Sequence, residues 1–160
     1  MLQHLKENPF PISLQPEPDT DPDKKNRCQK CTITWLTGDR GGHDGHTAYL
    51  RRKFGINARN LVVTAPDGDQ AGYDAGTPTE GPVTRVYEVK TGYAKLANDV
   101  WTSRESQLFF NNTFQFYQQA KVAAKCDLAY QIVFSNQAGY LGHYANLPPE
   151  LQQYMQWLPW

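Results

Sequence analysis

Across residues 104–125 the chain contains neither glycine nor proline, and Phe109, Phe116, Ala120 and Ala123 recur at a helical period. That run predicts one long helix, and its flanks decide what the helix must connect. Residues 84–90 (TRVYEVK) alternate in strand fashion, and residues 128–134 (LAYQIVF) read as a buried strand. A strand, a long helix and another strand require a crossover, which places at least one parallel pair in the sheet. The expected fold class is therefore α/β, a mixed β-sheet flanked by helices.

The remaining elements are shorter. A glycine-rich turn, GDRGGHDGH, precedes a short helix over residues 47–54, with Ala48, Leu50 and Phe54 apolar and Gly55 placed as its C-terminal stop. Leu61-Val62-Val63-Thr64 is a strand, Pro66-Asp67-Gly68-Asp69 is turn chemistry, and residues 70–75 offer a further strand. Pro148-Pro149-Glu150 opens a terminal helix. The predicted order is α, β, β, α, β, α, with the third strand of residues 70–75 as an optional addition. Of the tail residues Met155 to Trp160, the two tryptophans are expected to pack against the sheet rather than stand exposed.

Residues 1–27 read as a flexible linker, because Pro9, Pro11, Pro16, Pro18 and Pro22 interleave with Glu17, Asp19, Asp21 and Asp23. Residues 28–160 form the folded domain. A linker with nothing folded ahead of it is expected of a piece cut from a longer polypeptide, and no Sec-type signal or membrane-spanning run is present in the sequence. A mean hydropathy of -0.67 with 12% aromatic residues describes a polar chain that still supplies a core.

Sixteen basic and sixteen acidic residues remove the overall positive charge of a nonspecific nucleic-acid or membrane-surface binder. An anionic partner must be met by a local patch, for which Arg51, Arg52, Lys121 and Lys125 are the candidates. Three cysteines are too few for a disulfide scaffold, so free or metal-bound thiols are expected. Cys28-x-x-Cys31 followed by His43-x-x-His46 offers a zinc set, although the histidine spacing is too short for a finger. That would describe a non-catalytic, zinc-stabilised binding module.

On the strand at residues 84–90, Glu88 and Lys90 share a face with Val86, while Arg85, Tyr87 and Val89 point the other way. If Asp74 stands on the preceding strand or turn, two carboxylates and the Val89 carbonyl converge on one hard cation, Mg²⁺ or Mn²⁺. The cation would lower the pKa of a bound water, and Lys90 would steer that water and stabilise charge in the transition state. Asp67 and Asp69 compete with Asp74 for the first position. On the long helix Gln115 and Gln119 share a face with Leu108 and Val122, and Gln119 is the one expected beside the site. His46 is a further metal-water or phosphate contact.

Tyr73-Asp74-Ala75-Gly76, then Tyr87-Glu88-Val89-Lys90-Thr91-Gly92-Tyr93, then Gln118-Gln119-Ala120-Lys121-Val122-Ala123-Ala124-Lys125-Cys126, and finally Val133-Phe134-Ser135-Asn136 follow one another in order. Over residues 41–140 this resembles the PD-(D/E)xK restriction-endonuclease-like nucleases, in particular the toxin branch found as C-terminal domains of bacterial polymorphic toxins and type VI secretion effectors. The resemblance implies a restriction-endonuclease-like fold and a metal-dependent nuclease acting on DNA, with Asp74, Glu88 and Lys90 as its centre and Gln119 and His46 beside it. It also implies a larger secreted effector upstream, delivery into the cytoplasm of a target cell, and a cognate immunity protein. Two features depart from the pattern: Ala75 stands where glycine often follows the Asp, and residues 47–54 carry no acid for a second metal, Asp44 and His46 being the nearest substitutes. A metal-independent RNase using His43 or His46 as general acid and base is the alternative enzyme.

Overall fold

The computed structural model of the chain describes residues 31–37, 44–55 and 58–160. The proposed linker, Cys28, His43 and most of the glycine-rich turn lie outside the described residues. Strands β1 (Thr32–Trp35), β2 (Leu61–Thr64) and β3 (Gln70–Tyr73) form an antiparallel sheet in that order. A second sheet has the order β4 (Ala75–Thr77), β5 (Arg85–Lys90), β6 (Ala129–Phe134) and β7 (Met155–Trp157). In it β4 and β5 are antiparallel, and β5–β6 and β6–β7 are parallel. The fold is thus α/β, with two sheets flanked by helices where the sequence predicts one.

The long helix is α2 (Ser103–Lys125), 23 residues, preceded by α1 (Asp44–Phe54) and followed by α3 (Gln137–Asn146) and the single turn α4 (Pro149–Gln152). Its start is fixed by a capping box: the Thr102 hydroxyl accepts from the Glu105 N–H, and the Glu105 carboxylate accepts from the Thr102 N–H. It makes the predicted crossover between β5 and β6.

Several elements depart from the sequence reading, each for a tertiary reason. Residues 70–75 are two strands rather than one, because the chain leaves one sheet at Tyr73 and enters the other at Ala75, with Asp74 at the junction. The terminal helix stops after Gln152, and Met155–Trp157 pairs with Ile132–Phe134 as an edge strand, a register set by β6 rather than by local propensity. Helix α3 was not foreseen; its glycines weaken it as a helix but let it lie against the backbone. A Cβ on Gly142 would strike the backbone of Leu96, and one on Gly139 the carbonyl of Gly92, so these glycines set the approach of α3 to residues 92–97. Trp157 and Trp160 do not bury as expected: they are 41% and 51% exposed, with Trp160 set edge-on to Tyr49 at a centroid distance of 5.3 Å.

The four-stranded sheet has helices on both faces. Toward α2 it presents Val86, Tyr130, Ile132 and Phe134, which join Phe116, Ala120 and Ala123 in the main core. The other face presents Val89, Val133 and Ala75 to Tyr49 and Leu50 of α1, with the Phe54 ring tilted against Tyr87 at a centroid distance of 4.6 Å. The alternation of β5 follows the pattern read from the sequence, so Glu88 and Lys90 lie on the α2 side with Val86.

Cys31 and Cys126 form a disulfide, with Cα atoms 5.9 Å apart, which overturns the expectation of free or metal-bound thiols. The pairing spans 95 residues of sequence and arises because β1 is carried by β2 to the C-terminal end of α2, a meeting no local pattern encodes. At the same end Lys121 pairs with Asp69, and Lys125 pairs with Asp67 and Asp69. These two lysines, candidates for a phosphate-binding groove, are instead engaged by the β2–β3 turn. The disulfide also removes Cys31 from the zinc set.

Candidate functional site

The site lies where the two sheets part. At the junction of β3 and β4, Asp74 turns one carboxylate oxygen to the backbone of β5, where Oδ2 accepts from the Val89 N–H at 2.8 Å. That bond brings Asp74 to the level of Glu88 and Lys90. Asp67 and Asp69, the competitors for this position, are held by Lys121 and Lys125 in the β2–β3 turn. His46, the third residue of α1, approaches from the other side, with Nε2 3.6 Å from Asp74 Oδ1 and Nδ1 3.4 Å from the Thr91 hydroxyl.

Glu88 and Lys90 are both buried, at 4% and 8% exposure, and a buried carboxylate survives only if its oxygens are partnered. Here Oε1 receives Lys90 Nζ at 2.8 Å and Oε2 receives Gln119 Nε2 at 2.7 Å. Lys90 Nζ also donates to Gln115 Oε1 at 2.8 Å and lies over the rings of Phe116 and Tyr93. Of the two glutamines on α2, then, each has a separate partner: Gln119 holds the carboxylate and Gln115 the ammonium. The sequence reading selected Gln119 and passed over Gln115; their four-residue spacing was the signal that both belong to one face. Val122 is buried with Gln119, but Leu108, one of the face's predicted members, is 36% exposed.

Burial pushes the Glu88 carboxyl above its usual range, the Asp74 charge adds to the push, and Lys90 and Gln119 counteract it. For Lys90 burial pulls down, but the Glu88 charge and hydrogen bond outweigh it, and the ammonium stays protonated above its ordinary value. With both carboxylates ionised the group of Asp74, Glu88 and Lys90 carries one net negative charge.

These residues fit a hard divalent cation. The Asp74 charge raises the proton affinity of the buried Glu88 carboxyl, a cost that a positive charge between the two carboxylates relieves, and each oxygen has a lone pair beyond its present partner. Among the described residues no three His, Cys, Asp or Glu side chains gather as a ligand group. A cation would therefore rest on Asp74 and Glu88, with backbone carbonyl, water and substrate oxygens completing its shell, which is how Mg²⁺ is commonly held.

Behind Lys90 sits a second buried polar group that the sequence reading missed. His143 of α3 is fully buried, its Nδ1 donating to the Gly139 carbonyl at 2.8 Å and its Nε2 accepting from Asn112 Nδ2 at 3.1 Å. Burial holds its pKa down to about 4, with the Lys90 charge adding to the depression. The unfolded chain takes up this proton near pH 6.5 and the folded chain does not. Its contribution is therefore intact above that value and is lost as pH falls toward about 4, by about 3 kcal/mol in all. Urea unfolding of wild type and His143→Leu at pH 7 and pH 4.5 should show the wild type losing more stability than the variant over that interval; parallel losses would contradict the assignment.

Comparison of the chain with protein-family models, with curated proteins and with solved structures finds no match in any of the three. No described helix is long and apolar enough to cross a membrane.

Proposed function

We propose that this chain is a metal-dependent nuclease of the restriction-endonuclease-like type that hydrolyses phosphodiester bonds of DNA. The observation that carries the reading is the convergence of Asp74, Glu88, Lys90 and Gln119, drawn from the β3–β4 junction, β5 and α2, at one partly buried point between the sheets. An ordinary surface ion pair needs none of that support and contributes little. Keeping Glu88 charged in a dry position, against burial and a second carboxylate, is costly and is characteristic of sites that need the charge.

A bound Mg²⁺ or Mn²⁺ would supply Lewis-acid activation of the phosphate and a water of lowered pKa. Asp74 and Glu88 present the anionic oxygens that hold it, with the Val89 carbonyl beside them. The Lys90 ammonium orients the attacking water and faces the negative charge that grows on the phosphate oxygens. Gln115 holds that ammonium, Gln119 holds the Glu88 carboxylate, and His46 supports Asp74 from the α1 side. Arg51 and Arg52, exposed in the last turn of α1, would contact backbone phosphates.

In the same reading the chain is the toxin portion of a larger secreted effector, delivered to a target cell and neutralised by an immunity protein. The test is cleavage of supercoiled plasmid, and in parallel of single-stranded RNA, by the oxidised protein with Mg²⁺, with Mn²⁺ and with EDTA. Plasmid nicking that requires the cation and disappears in Glu88→Gln is the expected result. RNA cleavage that survives EDTA would replace the reading with a metal-independent RNase, because paired carboxylates without a cation repel the phosphate.

A further inference from the structure

Gln119 makes more bonds than holding Glu88 requires. Its Nε2 donates to Glu88 Oε2 at 2.7 Å and to the Gly72 carbonyl of β3 at 2.8 Å, and its Oε1 accepts from the Tyr130 hydroxyl at 2.6 Å. Its backbone carbonyl takes the Tyr73 hydroxyl, also at 2.6 Å. One buried amide thus links the strand that leads into Asp74 to the strand that carries Glu88, across the gap between the two sheets.

We propose that Tyr130 is a positioning residue of this site, acting through Gln119 on Glu88. The geometry leaves the amide one orientation. Reversed, Oε1 would face the Glu88 carboxylate and the Gly72 carbonyl, three acceptors without a proton among them. The Tyr130 hydroxyl supplies the donor that the correct orientation needs at its far end. Burial and the neighbouring Glu88 charge keep that phenol protonated, so it remains a donor. A donor at Oε1 also polarises the amide and strengthens its N–H bond to the carboxylate. Without it Oε1 is left buried and unpaired, and the amide is free to leave Glu88 in search of a partner. The Tyr130 ring is itself fixed, between Tyr73 at 5.9 Å and Tyr154 at 5.1 Å, so its hydroxyl is aimed by packing.

The inference rests on the nuclease reading for its kinetic arm alone. The experiment is a double-mutant cycle of Tyr130→Phe and Gln119→Leu, with phenylalanine chosen because it preserves the ring packing. Tyr130→Phe should lower kcat about tenfold with little change in KM, the size expected when a buried hydrogen bond to a catalytic group is loosened. In the Gln119→Leu background the same substitution should have no further effect. Losses that multiply in the double variant would overturn the inference, since Tyr130 would then act independently of Gln119.

If the wild type cleaves no nucleic acid, the nuclease reading falls and the second arm decides the positioning role. The Gln119 side-chain amide protons, followed by nuclear magnetic resonance, should exchange slowly in the wild type and quickly in Tyr130→Phe. Unchanged protection in that variant would overturn the inference whatever the activity.

Discussion

Replacing Lys90 by alanine is expected to remove at least about 10²–10³-fold of nuclease turnover, the range seen when one preorganised donor to a transition-state charge is deleted. It should also destabilise the fold by about 3 kcal/mol or more, because it leaves Glu88 buried without its counter-charge. The two effects separate by pH. Glu88 already binds its proton more readily in the folded chain than in the unfolded one, and loss of Lys90 widens that difference. A group of this sign stabilises the folded state more as pH falls, so the stability deficit of Lys90→Ala should shrink between pH 7 and pH 5 while turnover stays lost. Urea midpoints of wild type and variant at the two pH values check this, and a deficit independent of pH would contradict a charged Glu88. Pairing Glu88→Gln with Lys90→Met should recover much of the stability and none of the turnover, since an apolar or neutral pair escapes the desolvation cost that either single change exposes.

Reducing the Cys31–Cys126 bond is expected to cost this chain a large part of its stability. It closes a loop across 95 residues, for which the chain-entropy relation gives about 4.7 kcal/mol. In a chain of this size that corresponds to a fall in Tm of about 15 °C. Scanning calorimetry of wild type and of Cys31→Ala with Cys126→Ala, each with and without reductant, tests it. The wild type should melt lower in reductant, the variant should melt at that lower value in both, and a wild type indifferent to reductant would sink the prediction. Under the proposed delivery into a target cell, the reducing cytoplasm there would open this bond. What the bond fastens is also specific. Together with the Asp67, Asp69, Lys121 and Lys125 ion pairs it ties the three-stranded sheet to the far end of α2, the helix that carries Gln115 and Gln119. Loosening it should therefore be felt at Asp74, which follows directly from that sheet.

Local periodicity alone was enough to place the central elements. Phe109, Phe116, Ala120 and Ala123 marked the buried face of α2, residues 85–90 and 129–134 alternated or ran apolar as strands, and their order required a parallel pair, which β5 and β6 form. The same period of two put Glu88 and Lys90 on one face of β5. These features were legible because they depend on neighbours in the chain: rise, pitch and pleat are set within a few residues.

Everything that depended on distant chain was decided by the tertiary structure. That residues 70–75 split between two sheets, so that Asp74 and not Asp67 or Asp69 meets Glu88, follows from how the sheets pack. That Met155–Trp157 is a strand follows from the open edge of β6, and that Cys31 meets Cys126 follows from β1 riding on β2 to the end of α2. Gln119 was a candidate from its place on a helix, but its bonds to Glu88, Gly72 and Tyr130 join three strands that approach one another only in the folded chain. The sequence determined which side chains share a face, because that is a matter of backbone period; which faces oppose one another was decided by packing, because burying the apolar side of each element against the others is a property of the whole chain at once.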